Sequence, residues 1–347
     1  MRITRESLLK IAQDTAAQRV RINRRLICIY LSGSLASTPV NAQSPAALNL
    51  ENPLLGGTTD IDLIFIHDSE PAAPREMVRL TDDVHLDIAH YSQSLFRQPR
   101  HLRLEPWLGS FICTKPMVLH DTGHWFDFTQ ASIFSQFFAP QNIIQRARPL
   151  HEKARQMWFA LSTGSIPTHP EAITAYFKAI ESAANAAALL VGEPLTERRF
   201  LLHFPSRAQQ LQNPDLSAQL IRLFFSQPIS SEQWQSWQKD WSEAYKIAAG
   251  HTDRPLRLHA CRLGYYQRAA EALWADHPAA AAWLLIRTWS RAAQYLPTDS
   301  PLMLSWDSAC AALNLSPDQF SERLEQLDVY LDLVEETLDQ WEKANGI

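Results

Sequence analysis

The run Thr59-Asp60-Ile61-Asp62-Leu63-Ile64-Phe65-Ile66 sets two carboxylates two residues apart in a stretch that is otherwise apolar or β-branched. A strand alternates its side chains between two faces, so Asp60 and Asp62 share one face and Ile61, Leu63 and Phe65 the other. Paired carboxylates on an apolar strand are costly unless a cation holds them. A divalent metal is the natural partner.

Two further segments bear on that strand. Upstream, the apolar run Leu26-Ile27-Cys28-Ile29-Tyr30-Leu31 feeds Ser32-Gly33-Ser34. It reads as a buried strand entering a bend whose small side chains let backbone N–H groups approach an anion. Downstream, Val84-His85-Leu86-Asp87-Ile88-Ala89-His90-Tyr91 is a second strand with Asp87 between apolar neighbours. If it lies beside the first, three carboxylates converge as hard oxygen ligands of the kind Mg²⁺ requires. His85 and Tyr91 share the face of Asp87, so His85 either approaches the metal or serves as a hydrogen-bonded structural group. Pro39, Ser44, Pro45, Asn49 and Asn52 mark an inserted loop over about 37–57, either a lid or an excursion.

Taken in order, Gly33-Ser34, Asp60-Ile61-Asp62 and Leu86-Asp87-Ile88 resemble the nucleotidyltransferase superfamily that includes DNA polymerase β and the aminoglycoside adenylyltransferases. The resemblance covers about the first third of the chain. It implies an α+β protein: an N-terminal nucleotidyltransferase domain over 1–125, a mixed sheet with helices, then an all-α helical bundle domain over 126–347. It also implies Mg²⁺-dependent transfer of a nucleoside monophosphate to a hydroxyl, with AMP from ATP expected and another NTP as the alternative donor. Asp60, Asp62 and Asp87 would be the catalytic and metal-binding residues, with two ions expected, and Gly33 and Ser34 would bind the nucleotide. The helical domain of such enzymes can supply basic contacts to the triphosphate, which nominates Lys178, with Glu181 on the acceptor side. The competing class is an inactive nucleotide-sensing or scaffold protein that binds a partner through its helices. Incomplete metal geometry at Asp87 would mark it.

Composition bounds the partners. At 347 residues two domains are expected, and 46% hydrophobic with 20% charged residues describes an ordinary soluble, cytoplasmic protein. The net charge of −5 argues against a nonspecific nucleic-acid binder and suits a small, cationic acceptor such as an aminoglycoside-like antibiotic; a protein hydroxyl fits equally. Cys28, Cys113, Cys261 and Cys310 form no CxxC pair and read as buried thiols of a reducing compartment. The N-terminus lacks a signal-peptide core, and no apolar run is long enough to span a bilayer.

Elsewhere the pattern is helical. Residues 7–24 form an amphipathic helix ending in arginines, 76–80 a short helix or edge strand, and 99–119 a helix and a further strand. His120-Asp121-Thr122-Gly123-His124 reads as a surface turn without a full ligand set. Thr168, Pro170 and Glu171 open a helix on which Lys178 and Glu181 either pair at i, i+3 or line a cleft. Arg198, Arg199, His203 and Arg207 form a surface face or line a phosphate pocket, and Trp234, Trp237 and Trp241 are core. The last helix opens at Ser316-Pro317-Asp318-Gln319 and carries a seam from Phe320 to Trp341. That seam predicts packing within the bundle, with a homodimer contact as the alternative.

Overall fold

A computed structural model describes residues 3–36, 54–114, 116–166, 168–225 and 227–347. The chain is α+β and divides into two compact units, Met1–Ile143 and Ile144–Ile347. Most of the inserted loop, with Pro39, Ser44, Pro45, Asn49 and Asn52, lies outside the described residues. Its last residues form a tight turn, Leu55–Gly57, in which Gly56 and Gly57 both take positive φ.

The first unit begins with helix α1 (Arg5–Ile22), opened by a reciprocal cap in which Thr4 and Ser7 satisfy each other's backbone N–H. Five strands follow: β1 (Leu26–Ser32), β2 (Thr59–His67), β3 (Arg75–Arg79), β4 (Val84–Ser92) and β5 (Met117–Asp121). They form one mixed sheet in the order β3-β4-β2-β1-β5. β2 and β4 run parallel, while the other neighbours are antiparallel. The chain makes the parallel pair by crossing to the edge as β3 and turning back as β4. Of the two alternatives for 76–80, the edge strand is the one that forms.

Side-chain alternation sorts this sheet into two cores. Ile29 and Leu31 of β1, Ile61, Leu63 and Phe65 of β2, and Leu86 and Ile88 of β4 pack on Leu8, Ala12 and Ala16 of α1. On the other face Cys28, Tyr30, Ile64 and Ile66 meet helices α2 (Pro99–Leu104), α3 (Leu108–Cys113) and α4 (Trp125–Phe137). α4 seats Phe126, Ile133 and Phe137 in that second core, so residues 126–143 belong to the sheet unit. The sequence boundary at 125/126 placed them with the helices instead; the change to helical character precedes the change of core.

The second unit is helical throughout its described residues. Its elements are α5 (Pro140–Ser162, entering the unit at Ile144), α6 (His169–Leu189), α7 (Phe200–Gln210), α8 (Asp215–Arg222), α9 (Ser231–Gly250), α10 (Arg262–Trp274), α11 (Pro278–Ala293), α12 (Pro301–Ala312) and α13 (Phe320–Ala344). α11 is central, packing on α6, α9, α10 and α12, and buries Trp283 and Trp289. Trp234, Trp237 and Trp241 are buried as expected, and Trp234 stacks on Trp274 with centroids 4.2 Å apart. The α13 seam is satisfied inside the unit. Leu327, Leu331, Val334 and Leu338 are fully buried, and Arg148 and Arg155 of α5 pair with Asp328, Asp332, Glu335, Asp339 and Glu342 along it.

Two expected caps differ. Thr168 and Ser316 turn their hydroxyls to Glu171 and Gln319 rather than to backbone N–H groups, and α13 starts only after a short 3₁₀ turn. Among the described residues no helix is long and apolar enough to cross a membrane.

Candidate metal centre

On β2 the row Asp60, Asp62, Ile64, Ile66 faces one way. Its second half enters the core beneath α2–α4, which fixes the face and leaves the two carboxylates at the strand's start. The parallel register then sets Asp87 directly beside Asp62 and His85 beside Asp60. Carboxylate oxygens of Asp60, Asp62 and Asp87 lie within 4.8 Å of one another. All three predicted acids are therefore brought together. Asp60 and Asp87 are buried, Asp62 half-buried, and buried carboxylates this close repel unless cations join them.

The bend after β1 completes the geometry from the other side. Ser32 pairs with Asp62, so Gly33 emerges against that carboxylate. Gly33 has φ +73°, and a Cβ there would fall 2.2 Å from Asp62 Oδ2. Only glycine meets both conditions, the left-handed backbone and the missing side chain. Ala36 N–H closes the turn onto the Gly33 carbonyl at 3.2 Å, and Arg5 of α1 clips it by donating to the Leu35 carbonyl at 3.1 Å. Ser34 sits half-buried in this turn.

Arg75 is the residue that sequence reasoning missed. From edge strand β3 it forks onto Asp87, Nε to Oδ1 at 2.5 Å and Nη2 to Oδ2 at 2.8 Å. The Asp87 side chain is 0% exposed and that of Arg75 43%, so the guanidinium reaches in from solvent. In the sequence it lies one residue before the 76–80 segment, which reads as either a short helix or an edge strand. Once β3 is known to pair with β4, Arg75 falls on the face of Asp87.

The donor set fits a hard divalent cation: three carboxylates at close range, with a glycine turn against one of them. To join such a set Asp87 would have to exchange Arg75 for the cation. His85 is buried within the row opposite Asp60.

The other predicted positions separate by unit. Asp121, His124 and Asp127 also cluster, but Asp121 accepts the Phe126 N–H at 3.0 Å and so caps the start of α4. Lys178 is exposed on α6, and burial of its stem with nearby Lys153 and Arg291 lowers its pKa. Glu181 does not pair with Lys178 as the i, i+3 reading had it; its carboxylate takes Arg287 of α11. Two members of the row at 198–207 go to different partners. Arg198 lies over the Tyr265 ring, 3.4 Å from its centroid, and Arg207 donates to the Val191 carbonyl at 2.7 Å, finishing α6 where Gly192 leaves room for it. All four cysteines are buried and none is in a disulfide among the described residues.

No protein-family model matches the chain, and no curated protein matches its sequence.

Proposed function

We propose that the N-terminal unit is a Mg²⁺-dependent nucleotidyltransferase that moves a nucleoside monophosphate, AMP from ATP, onto an acceptor hydroxyl. The observation that carries this reading is the convergence of Asp60, Asp62 and Asp87 at the foot of one parallel strand pair, with Gly33 pressed against Asp62. Asp60 and Asp62 would hold the ion on the triphosphate and share a second with Asp87; ions so held neutralise charge at the α-phosphate and lower the pKa of an attacking hydroxyl. Gly33 and Ser34 would present backbone N–H groups and the Ser34 hydroxyl to the departing phosphates. The crowding of Gly33 on Asp62 ties that turn to the carboxylates, so phosphate and metal are gripped by one rigid piece.

One observation favours a second reading. Arg75 engages both oxygens of Asp87, the arrangement expected of a nucleotide-sensing or scaffold protein in which Asp87 is a structural ion pair. Incubation with Mg²⁺, each α-labelled NTP and a panel of hydroxyl acceptors, both aminoglycosides and cell-extract proteins, separates the two. Transferred label that disappears in Asp60→Asn and Asp62→Asn supports the transferase. Label transfer that survives both substitutions removes the mechanism. Nucleotide binding without turnover favours the sensor.

A further inference from the structure

The helical unit contains a buried cluster whose charges do not balance. Glu197, in the turn before α7, is the hub. Arg257 Nη1 reaches its Oε1 at 2.5 Å and Arg291 Nη1 at 3.5 Å, while Arg262 Nη1 reaches its Oε2 at 3.4 Å and the Tyr266 hydroxyl donates to Oε2 at 2.7 Å. Arg287 Nη1 stands 3.8 Å from the same carboxylate, and its Nη2 goes to Glu181. Among the described residues, Arg257, Arg287 and Arg291 thus share the two carboxylates of Glu181 and Glu197, before the ammonium of Lys178 is counted. A surplus of buried positive charge opposes folding unless something compensates it.

Arg287 makes the deficit specific. It is 2% exposed, and its Nε and Nη1 have no hydrogen-bond partner among the described residues. A buried guanidinium with two unsatisfied donors is expensive for a folded protein to keep. One turn along α11, Arg291 is nearer the surface and Arg257 nearer still, with 13% and 47% of their side chains exposed. The donors therefore run from the interior to solvent, giving an anion a way in. Burial, and after it the neighbouring Arg287, push the Arg291 pKa down to about 10.

We infer that the helical unit holds a phosphate-bearing small molecule in this cluster, with Arg287 and Arg291 as its principal donors and Arg257 and Lys178 at the mouth. Guanidinium forks match tetrahedral oxyanions in shape as well as charge, and an anion adds the negative charge that Glu181 and Glu197 leave short. All of these residues lie in the second unit, so the site stands whether or not the acidic centre transfers nucleotides.

The test is calorimetric titration of the full chain in EDTA, at fixed ionic strength, with tripolyphosphate, ATP and AMP. Binding of at least one of them is expected, retained in Asp60→Asn/Asp62→Asn and weakened tenfold or more in both Arg291→Gln and Arg257→Gln. Tripolyphosphate matching ATP would assign the site to free phosphate groups, and ATP binding tenfold tighter would assign it to a nucleotide's phosphates. Arg291→Gln should also raise the ligand-free melting temperature, because it removes surplus charge; a merely structural arginine would lower it. Absence of binding by all three ligands, binding undiminished in both arginine variants, or binding lost with the aspartates would each overturn the site.

Discussion

Arg75 and Asp87 sit two rows apart across the β3–β4 hairpin, and the arginine spans that diagonal to take both carboxylate oxygens, at 2.5 and 2.8 Å. A carboxylate with no exposed side-chain surface needs a cation, and a half-exposed arginine on an edge strand can supply one and then leave. On the proposed function, Arg75 is the counter-ion that a metal at Asp87 would displace. In Arg75→Gln the metal-free protein should lose about 1–3 kcal/mol, the scale of a charge-assisted hydrogen-bonded pair discounted for the arginine's exposure. Mg²⁺ should restore more stability to the variant than to the wild type. Melting temperatures with EDTA and with Mg²⁺ measure both; equal Mg²⁺ responses would leave Asp87 a structural partner only.

Gly33→Ala tests the tie between turn and carboxylate. The new Cβ would meet Asp62 Oδ2 at 2.2 Å on a backbone at φ +73°. Strain of about 1–3 kcal/mol is expected from the backbone conformation alone. Because Asp62 has to move, Mg²⁺ and nucleotide affinity should fall together. An Ala variant that melts lower but binds both normally would show that the close approach is structural.

The acidic centre was legible because strand alternation is local: Asp60 and Asp62 share a face in any sheet, and only the placement of Asp87 awaited topology. Arg75 was not legible, since its value depends on β3 being the edge strand that delivers the chain back into β4. In the helical unit sequence proximity is a poorer guide: Arg198, Arg199, His203 and Arg207 are neighbours in sequence, whereas the arginines around Glu197 come from α10, α11 and the short turn Leu256–Leu258. One signal was present: Arg287 interrupts Trp283-Leu284-Leu285-Ile286 and Thr288-Trp289, and an arginine inside so apolar a run needs a buried reason.

On the α1 face of the sheet, His67 Nε2 and His90 Nδ1 are 2.9 Å apart, and His90 approaches Glu76, which Arg19 of α1 also holds. Burial lowers both histidine pKa values; His90 lowers that of His67 further, while Glu76 opposes the shift at His90. A base whose folded pKa is depressed takes up protons more readily when unfolded. Stability should therefore fall as pH drops below about 6.5, the ordinary histidine value, and level off beneath the folded pKa values. His67→Asn should flatten that limb of a melting-temperature profile between about pH 5 and 7. A profile unchanged by the substitution would place the pH dependence elsewhere.

Glu197 should be a pH-dependent support of the helical unit. Burial alone would raise its pKa, but Arg257, Arg287, Arg262 and Arg291 together hold it well below the ordinary carboxylate value of 4.5. A depressed carboxylate contributes stability that is complete above its unfolded pKa and disappears as pH falls through the folded one. Glu197→Gln removes that charge at every pH and takes the shared carboxylate from Arg257, Arg262, Arg287 and Arg291. A loss of about 3–5 kcal/mol at neutral pH is expected, as for one partner removed from a buried ion pair. Adding Arg291→Gln should recover part of it, because the double variant has one fewer unbalanced cation. Denaturant unfolding of the two single variants and the double one measures the coupling; strict additivity would mean that the arginines are satisfied by something other than Glu197.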